Sequence, residues 1–546
     1  AILMNLLRVP LDWKIFFVLC LLLPVFVLFK RIRRKELSFP MTLTKSNVVF
    51  FAVILIFLLS LFMYARGAFN YPYLENEDPW GHSVGVKYVA VEKDAYDPPI
   101  TIGGREIDPV LSYIDPYPPA YDILLGILHQ TSIDMQWTLK FFNALIISLG
   151  LVFFFIFARK FMGSSYKALF STFILATVPA YQSHFIWAHS LVVTLFFPTM
   201  YAFESIKEDK RWMYVALPLV ASIWVSQNLS QPIKLTTMIL MYIIIASVTS
   251  QKFKKYQTTA LVGGVLLSFA WWGAMIHKYS LIGFLKYFGG DISHAGDTLV
   301  ISSPGGFSLF KFLGSFFQII TNPGGTGSRS YSASDFIIAK SQNMINNPIG
   351  IGVVISLLTL LGVIYILWKN KSSIVEERRT WLCITLFWLI YTFWGVNGQT
   401  FIFSVAKAPF RVWMLLAIPV SLIATEGFYV LKKFFSKTKI LQYIIVFFIL
   451  VGVLLTSAQQ KYDLNTAMWP TSASFQHPNQ PFEYGNWFSN LPPNTKVFLY
   501  SPRDKLTIGF GGYSCLWCQD VIDFRQKLLY KDAEELHAFL LGKGYE

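Results

Sequence analysis

The sequence predicts a polytopic α-helical membrane protein of about 12 spans, with a small extracytoplasmic α/β domain at its C-terminal end. Three observations predict it. The 546 residues are 54% hydrophobic and only 14% charged, with a mean hydropathy of +0.49, whereas a soluble chain normally carries about 25% charged residues. Apolar runs of roughly 17 to 20 residues recur along most of the length, long enough to cross a hydrocarbon core about 30 Å thick. The basic residues behind the net charge of +15 gather in short loops between the runs, the pattern of a cytoplasmic face held against anionic lipid, so the charge implies no nucleic acid partner.

In chain order the runs are 13–29, 48–65, 138–157, 168–183, 186–203, 212–226, 233–249, 258–276, 349–368, 380–396, 411–431 and 440–457. The first is followed by Lys30-Arg31-Ile32-Arg33-Arg34-Lys35 rather than by small residues, so it reads as a span and not as a cleaved signal peptide. With twelve spans, every basic loop falls on one side: Lys30–Lys35, Arg159–Lys167, Lys207–Arg211, Lys252–Lys255, Lys369–Arg379 and Lys432–Lys439. The positive-inside rule places that side in the cytoplasm of a plasma-membrane protein. Both termini and the long segments 66–137, 277–348 and 458–546 then lie outside. Pro179 and a short polar gap divide two spans within 168–203, and 397–410 has the look of a re-entrant segment.

Residues 1–457 thus form a transmembrane domain with outer loops 66–137 and 277–348, and 458–546 an extracytoplasmic domain. The first outer loop is rich in turn signals (Asp97-Pro98-Pro99, Gly103-Gly104, Asp115-Pro116, Pro118-Pro119) and is expected to hold short surface helices such as His82–Glu92. The middle loop carries Gly289-Gly290, Gly305-Gly306 and Pro323-Gly324-Gly325-Thr326-Gly327; loops of that length in a compact assembly are usually functional, as lids are. The tail opens with a linker from Pro470 to Pro481, then offers a strand at Lys496–Tyr500 and a helix at Asp532–Leu541. It stops at Gly544-Tyr545-Glu546 without an evident terminus, so the native chain is expected to continue. Cys20 and Cys383 fall in spans as apolar filling, and Cys515-Leu516-Trp517-Cys518 fits a tight-loop disulfide better than zinc, since no second pair accompanies it.

Four groups of residues could carry chemistry. Tyr73-Leu74-Glu75-Asn76-Glu77-Asp78-Pro79-Trp80-Gly81-His82 puts three carboxylates and a histidine just where the second span surfaces. Glu75, Glu77 and Asp78 could supply a base, or hold a hard divalent cation such as magnesium or manganese through Asp78 and Glu77. His82 follows Asp78 at i+4 and could face it; equally, Asp78 before Pro79 has the form of an N-cap. His184 and His189 sit at the outer junction of two spans, where histidine also serves as an interfacial anchor. Lys234 and Arg411 lie near outer span ends, against the positive-inside trend. A phosphate headgroup is a natural partner for both, and an internal ion pair or snorkelling is the alternative. Asp335, in Tyr331-Ser332-Ala333-Ser334-Asp335, could close over a substrate or cap a helix.

These residues resemble the GT-C glycosyltransferases, and most closely the catalytic subunit of archaeal and eukaryotic oligosaccharyltransferase. The resemblance rests on Glu77-Asp78-Pro79-Trp80 with Lys87-Tyr88-Val89, on Thr177-Val178-Pro179-Ala180-Tyr181, and on Ser332–Asp335. It continues in Pro409-Phe410-Arg411-Val412-Trp413 through Ala417-Ile418-Pro419, and in Asn486-Trp487-Phe488-Ser489-Asn490-Leu491-Pro492-Pro493-Asn494-Thr495. It implies that Asp78 is the first-loop acid that binds metal and acceptor, that Asp335 stands for the acid of the loop Ser/Thr-x-x-Glu motif, and that Arg411 opens a late span near the substrates. The chain departs from the family at two signatures. Ala188-His189-Ser190-Leu191-Val192-Val193 stands where a second acidic motif is expected, and Leu499-Tyr500-Ser501-Pro502-Arg503-Asp504 where Trp-Trp-Asp-Tyr-Gly is expected.

The expected activity is transfer of a sugar or oligosaccharide from a polyprenyl-phosphate or -pyrophosphate donor, drawn from the membrane lipid, to a protein or glycan acceptor outside the cell. Asp78, Glu77 and Asp335 are the expected catalytic acids; Arg411, Lys234, His189 and His82 are the expected binding residues for donor phosphate and substrate. The rival expectations are a flippase for lipid-linked glycans and a non-catalytic scaffold of the same fold.

Overall fold

The computed structural model describes residues 1–34, 45–96, 100–102, 105–107, 113–114, 117–288, 314, 317, 321–324, 329–342, 347–369, 380–467, 480–499, 504–527 and 532–545. Most of the Gly-rich middle loop, the linker up to Asn479 and the tail residues Tyr500–Arg503 lie outside the described residues.

All twelve apolar runs are helical. The first two are α1 (Trp13–Arg33) and α2 (Lys45–Phe69); the first loop contributes α3 (Glu77–Glu92) and α4 (Ala120–His129). Then come α5 (Met135–Met162), α6 (Ser165–Thr177), α7 (His189–Ser205), α8 (Met213–Trp224), α9 (Ser230–Ser250), α10 (Lys255–Phe288), α11 (Val353–Lys369), α12 (Thr380–Val396), α13 (Trp413–Phe434) and α14 (Lys439–Val453). Among the described residues seven stretches are long and apolar enough to cross a membrane: Trp13–Arg33, Asn47–Phe69, Met135–Met162, Ser230–Ser250, Lys255–Lys278, Pro409–Phe434 and Lys439–Thr466. The chain is an integral membrane protein. At ten residues, about 15 Å, α4 is too short to span.

The expected spans 168–183 and 186–203 are both shortened. Val178 takes extended backbone (ψ 121°) because the ring of Pro179 excludes the helical region for the residue before it. Residues 178–188 then form a buried irregular segment between α6 and α7. Such backbone survives at depth only where protein satisfies it. Lys461 donates to the Tyr181 carbonyl at 2.7 Å, Asn143 donates to the carbonyls of His184 (3.1 Å) and Phe185 (3.0 Å), and the His184 N–H donates to Asn465 at 2.9 Å.

The core is dense and aromatic, with Phe161 stacked on Trp388 at 5.9 Å. Helices α11 and α13 touch through glycine: a Cβ on Gly427 would stand 1.9 Å from the Leu358 carbonyl oxygen, and one on Gly362 2.3 Å from that of Ile423. Without a hydrophobic force between helices in lipid, such close approach supplies the packing. One end of the bundle gathers the basic loops, where Lys160 pairs with Glu208, Lys167 with Glu426, and Thr380 bonds Thr249 at 3.1 Å. The long loops emerge at the other end.

The tail differs from the expected α/β domain. Helix α14 runs on through a π-turn at Leu454–Ala458 into Gln459–Thr466, so position 457 falls inside a continuous helix. The expected strand at Lys496–Tyr500 reduces, among the described residues, to one parallel bridge between Lys496 and Tyr513. Val497 is buried there and Phe498 half-buried, its ring packing on Phe524 at 5.4 Å and on Tyr545 at 6.0 Å. The described strands are a short hairpin in the first loop, Ile100–Ile102 against Arg105–Ile107. The tail docks on α3, with Phe510 5.0 Å from Trp80 and the Trp517 indole N–H donating to Glu92 at 2.9 Å. The Cys515–Cys518 disulfide is formed.

Candidate functional site

The site is built around α3. Asn76 sits at positive φ (61°) with ψ −179°, a strained backbone for a residue other than glycine, and its side chain accepts from the Glu77 N–H at 2.6 Å. The helix therefore starts two residues before Pro79, at Glu77, and Asp78 is not its cap. The Asp78 carboxylate instead accepts a 2.7 Å hydrogen bond from the Tyr113 hydroxyl. Ten of the sixteen residues of α3 are buried, so it is not the surface helix expected over His82–Glu92. The reason is the tail, which covers its outer side through Trp80.

One turn below Asp78, the ring of Tyr113 packs on His82 with centroids 4.1 Å apart. Gly81 makes this possible, since a Cβ there would meet the Tyr113 ring at 2.2 Å. His82 does not contact Asp78; its Nδ1 lies 2.6 Å from Oδ1 of Asp122 on α4, and both residues are 1% exposed. Gly85 leaves the space for that carboxylate, a Cβ there standing 2.1 Å from Asp122 Oδ2. Burial pushes the Asp122 carboxyl up, and His82 beside it works in the opposite direction. Tyr113 and Tyr117 are likewise pushed up by burial, which keeps both phenols protonated as donors.

The cations arrive from the other half of the bundle. After Ala408 in left-handed backbone (φ 51°), a 3-10 turn over Pro409–Val412 turns the chain into α13 and carries Arg411. The Arg411 carbonyl accepts from the Gln231 amide at 3.0 Å, and its guanidinium lies 5.2 Å from the Phe410 ring. Its Nε is buried without a hydrogen-bond partner. Lys234 on α9 is 2% exposed, and its ammonium bonds only the Ser230 hydroxyl at 3.0 Å. Among the described residues no carboxylate pairs with either cation. His189 opens α7 with its ring 4.2 Å from Trp187 and its Nε2 unpartnered.

These groups converge. The charges of Arg411, Lys234 and His82 all act on His189, those of Arg411 and Lys407 act on Lys234, and those of Arg411 and Asp78 both act on Tyr117. Tyr117 thus lies within electrostatic reach of both the first-loop acid and the guanidinium of Arg411. Of the residues expected from sequence, Asp78, His82, His189, Lys234 and Arg411 are brought together.

Glu77 and Asp335 are not. The Glu77 side chain is 58% exposed and lies 3.2 Å from the Lys505 ammonium of the docked tail. Asp335 serves a capping box with Ser332 and takes a two-point grip from Arg329, at 3.1 Å to each oxygen. That guanidinium and the Ser332 N–H hold its carboxyl well below the usual range, against the push of burial. Asp78 and Glu77, the expected metal ligands, meet different partners: one faces Tyr113, the other Lys505, and among the described residues no three His, Cys, Asp or Glu side chains converge. Glu75 is spent elsewhere, in a buried pair with His184 at 3.1 Å.

Sequence reasoning missed Asp122, Tyr113 and Tyr117. Asp122 carried a readable signal, being the one acid of the otherwise apolar helix Ala120–His129. The tyrosines carried none, in a chain that is 17% aromatic.

No family model and no curated protein matches the sequence. Solved structures do. Archaeal oligosaccharyltransferase AglB from Archaeoglobus fulgidus, in complex with an inhibitory peptide and a dolichol-phosphate, superposes with a TM-score of 0.50 at 12% identity, over 81% of this chain and 58% of that one. The apo form of the Archaeoglobus fulgidus oligosaccharyltransferase gives 0.48 at 11% identity over 84% and 63%. ArnT from Cupriavidus metallidurans bound to undecaprenyl phosphate gives 0.48 at 11% identity, over 84% of each chain. The chain therefore spans less than two thirds of the archaeal enzyme, 58% and 63% in these two structures. Its fold is that of the GT-C membrane glycosyltransferases.

Proposed function

We propose that this protein is a glycosyltransferase that moves a sugar or oligosaccharide from a polyprenyl-phosphate or -pyrophosphate to an acceptor at the extracytoplasmic face, as in protein glycosylation. The observation that carries the reading is that two cations, the buried Lys234 and the half-buried Arg411 with its buried Nε, gather near Tyr117 and Asp78 with no carboxylate paired to either among the described residues. Burying a charge without a partner is costly, and an arriving phosphate is the partner that would offset the cost.

Arg411 and Lys234 bind the donor phosphate and take up the negative charge that grows on it as the glycosidic bond breaks. Asp78, with one oxygen held by Tyr113, keeps the other for the acceptor's nucleophilic group and orients it toward the anomeric carbon. Direct displacement then inverts that carbon. His189 adds its unpartnered Nε2 at the same place. No step is routed through a metal ion, because among the described residues no set of three His, Cys, Asp or Glu ligands gathers. The likeness to polyprenyl-phosphate-binding proteins agrees with this reading at the level of fold.

Purified protein in lipid nanodiscs, supplied with radiolabelled dolichyl-phosphate mannose and a mixture of Asn-, Ser- and Thr-containing peptides, tests it. The wild type is expected to glycosylate peptide, and Asp78→Ala and Arg411→Ala to lose at least about 100-fold. Transfer by Asp78→Ala at the wild-type rate would refute the assignment. Movement of labelled lipid across the bilayer with no new glycosidic bond would favour a transporter.

A further inference from the structure

The pair formed by His82 and Asp122 has no role in the scheme above, and its geometry is hard to explain by packing alone. A polar pair that is 1% exposed on both sides is costly unless every atom is satisfied. Here one atom is left over, Asp122 Oδ2, which is buried without a partner. The hydrogen bond of the His82 ring runs from Nδ1 to Asp122, and none is made by Nε2 among the described residues. Two glycines are spent on the arrangement, Gly85 to admit the carboxylate and Gly81 to admit Tyr113. The imidazole is walled by Tyr113 at 4.1 Å, Tyr121 at 4.9 Å and Tyr117 at 6.4 Å, so its plane is set. Tyr121 is itself anchored by its hydroxyl on Asn143 at 2.9 Å.

The ring so held lies beside the proposed site. Tyr113 touches its face and bonds Asp78, and His189 is within electrostatic reach of His82, Arg411 and Lys234. A carboxylate accepting at Nδ1 fixes the tautomer that carries its proton there, and leaves the lone pair on Nε2. We propose that His82 is the catalytic proton acceptor of the transfer reaction and that Asp122 is its positioning residue. The inference rests on the glycosyltransferase reading. As the acceptor's O–H or N–H group attacks, its oxygen or nitrogen bonds the anomeric carbon. The bond from that carbon to the phosphate oxygen breaks, and its electron pair stays on the phosphate. The acceptor's proton passes to Nε2 of His82. Asp78 keeps the orienting role, one of its oxygens being taken by Tyr113.

Asp122→Asn is the decisive change, because an amide N–H facing Nδ1 reverses the tautomer and leaves a proton on Nε2, where the lone pair is needed. Three measurements on the nanodisc protein read it. First, in 15N-histidine NMR, with the His82 signal among eight histidines assigned by its absence from His82→Gln, the wild type is expected to carry its proton on Nδ1 and Asp122→Asn on Nε2. A wild-type proton on Nε2 overturns the proposal without any reference to substrate. Second, with dolichyl-phosphate mannose and the peptide mixture, Asp122→Asn and His82→Gln are each expected to lower kcat by roughly 100- to 10,000-fold. The double variant should be no worse than His82→Gln. Third, dolichyl phosphate binding and Tm should stay within about twofold and a few degrees of wild type. Equal losses of binding, Tm and kcat would reduce the pair to a structural role. Wild-type kcat in Asp122→Asn would overturn the proposal while leaving the transferase reading intact. A wild type that transfers no sugar while Nδ1 carries the proton would fail the transferase reading, and the catalytic role with it.

Discussion

The Tyr113 hydroxyl donates to the Asp78 carboxylate at 2.7 Å while the Tyr113 ring covers His82 at 4.1 Å. One side chain therefore ties the first-loop acid to the buried imidazole, two groups a helical turn apart that do not touch each other. That tie makes the two halves of the site separable by mutation.

Tyr113→Phe keeps the ring and removes the hydroxyl. It is expected to leave Tm nearly unchanged and to lower kcat about tenfold, since a hydrogen bond to a charged group is worth about 1.5–3 kcal/mol and only part of that acts on the transition state. Steady-state transfer with a fixed donor concentration checks it; an unchanged kcat would show that Asp78 needs no restraint.

Lys234→Met should separate stability from function. The ammonium is buried with a single hydroxyl partner at 3.0 Å, so an apolar side chain of similar length is expected to hold or raise Tm. Dolichyl phosphate binding should weaken about 10- to 100-fold, because a charge-assisted contact to phosphate is lost. Binding and thermal unfolding measured on one sample decide it, and a destabilised variant with normal binding would mark Lys234 as structural.

Gly85→Ala places a methyl group 2.1 Å from Asp122 Oδ2. Overpacking of this kind costs about 1–3 kcal/mol, and here it also pushes the carboxylate off His82. Adding Asp122→Ala should restore Tm without restoring transfer, which scanning calorimetry and a transfer assay test together.

Acid should weaken the packing of α4 (Ala120–His129) through His129. Burial and the nearby Lys87 charge pull this imidazole down to about 4 from an ordinary 6.5. The unfolded chain thus binds the extra proton first as pH falls, so stability is complete above about 6.5 and is lost as pH drops toward 4. The loss is on the order of 3 kcal/mol. His129→Gln, which can still bond Thr138, should flatten the slope of Tm against pH across that window.

Asp78 and Arg411 were legible because both break a local pattern: one is an acid just past a span, the other a cation at the outer end of one. His82 and His189 were legible as polar residues at the same boundary. Glu77 and Asp78 look equivalent in a string, whereas on a helix adjacent carboxylates point about 100° apart and meet different neighbours. At Asp335 the serine–acid spacing that suggests a lid also makes a capping box, and Arg329 six residues earlier completes it.

By itself the sequence determined the helices, since hydrocarbon thickness sets how long an apolar run must be. Only the tertiary structure decided which carboxylates share a site. The contact between His82 and Asp122 joins residues 40 positions apart, and that between Gln231 and Arg411 joins residues 180 apart. Such contacts depend on how close two helices can come, and the side chains that permit it here, Gly81 and Gly85, leave no periodic signature in a chain with 34 glycines.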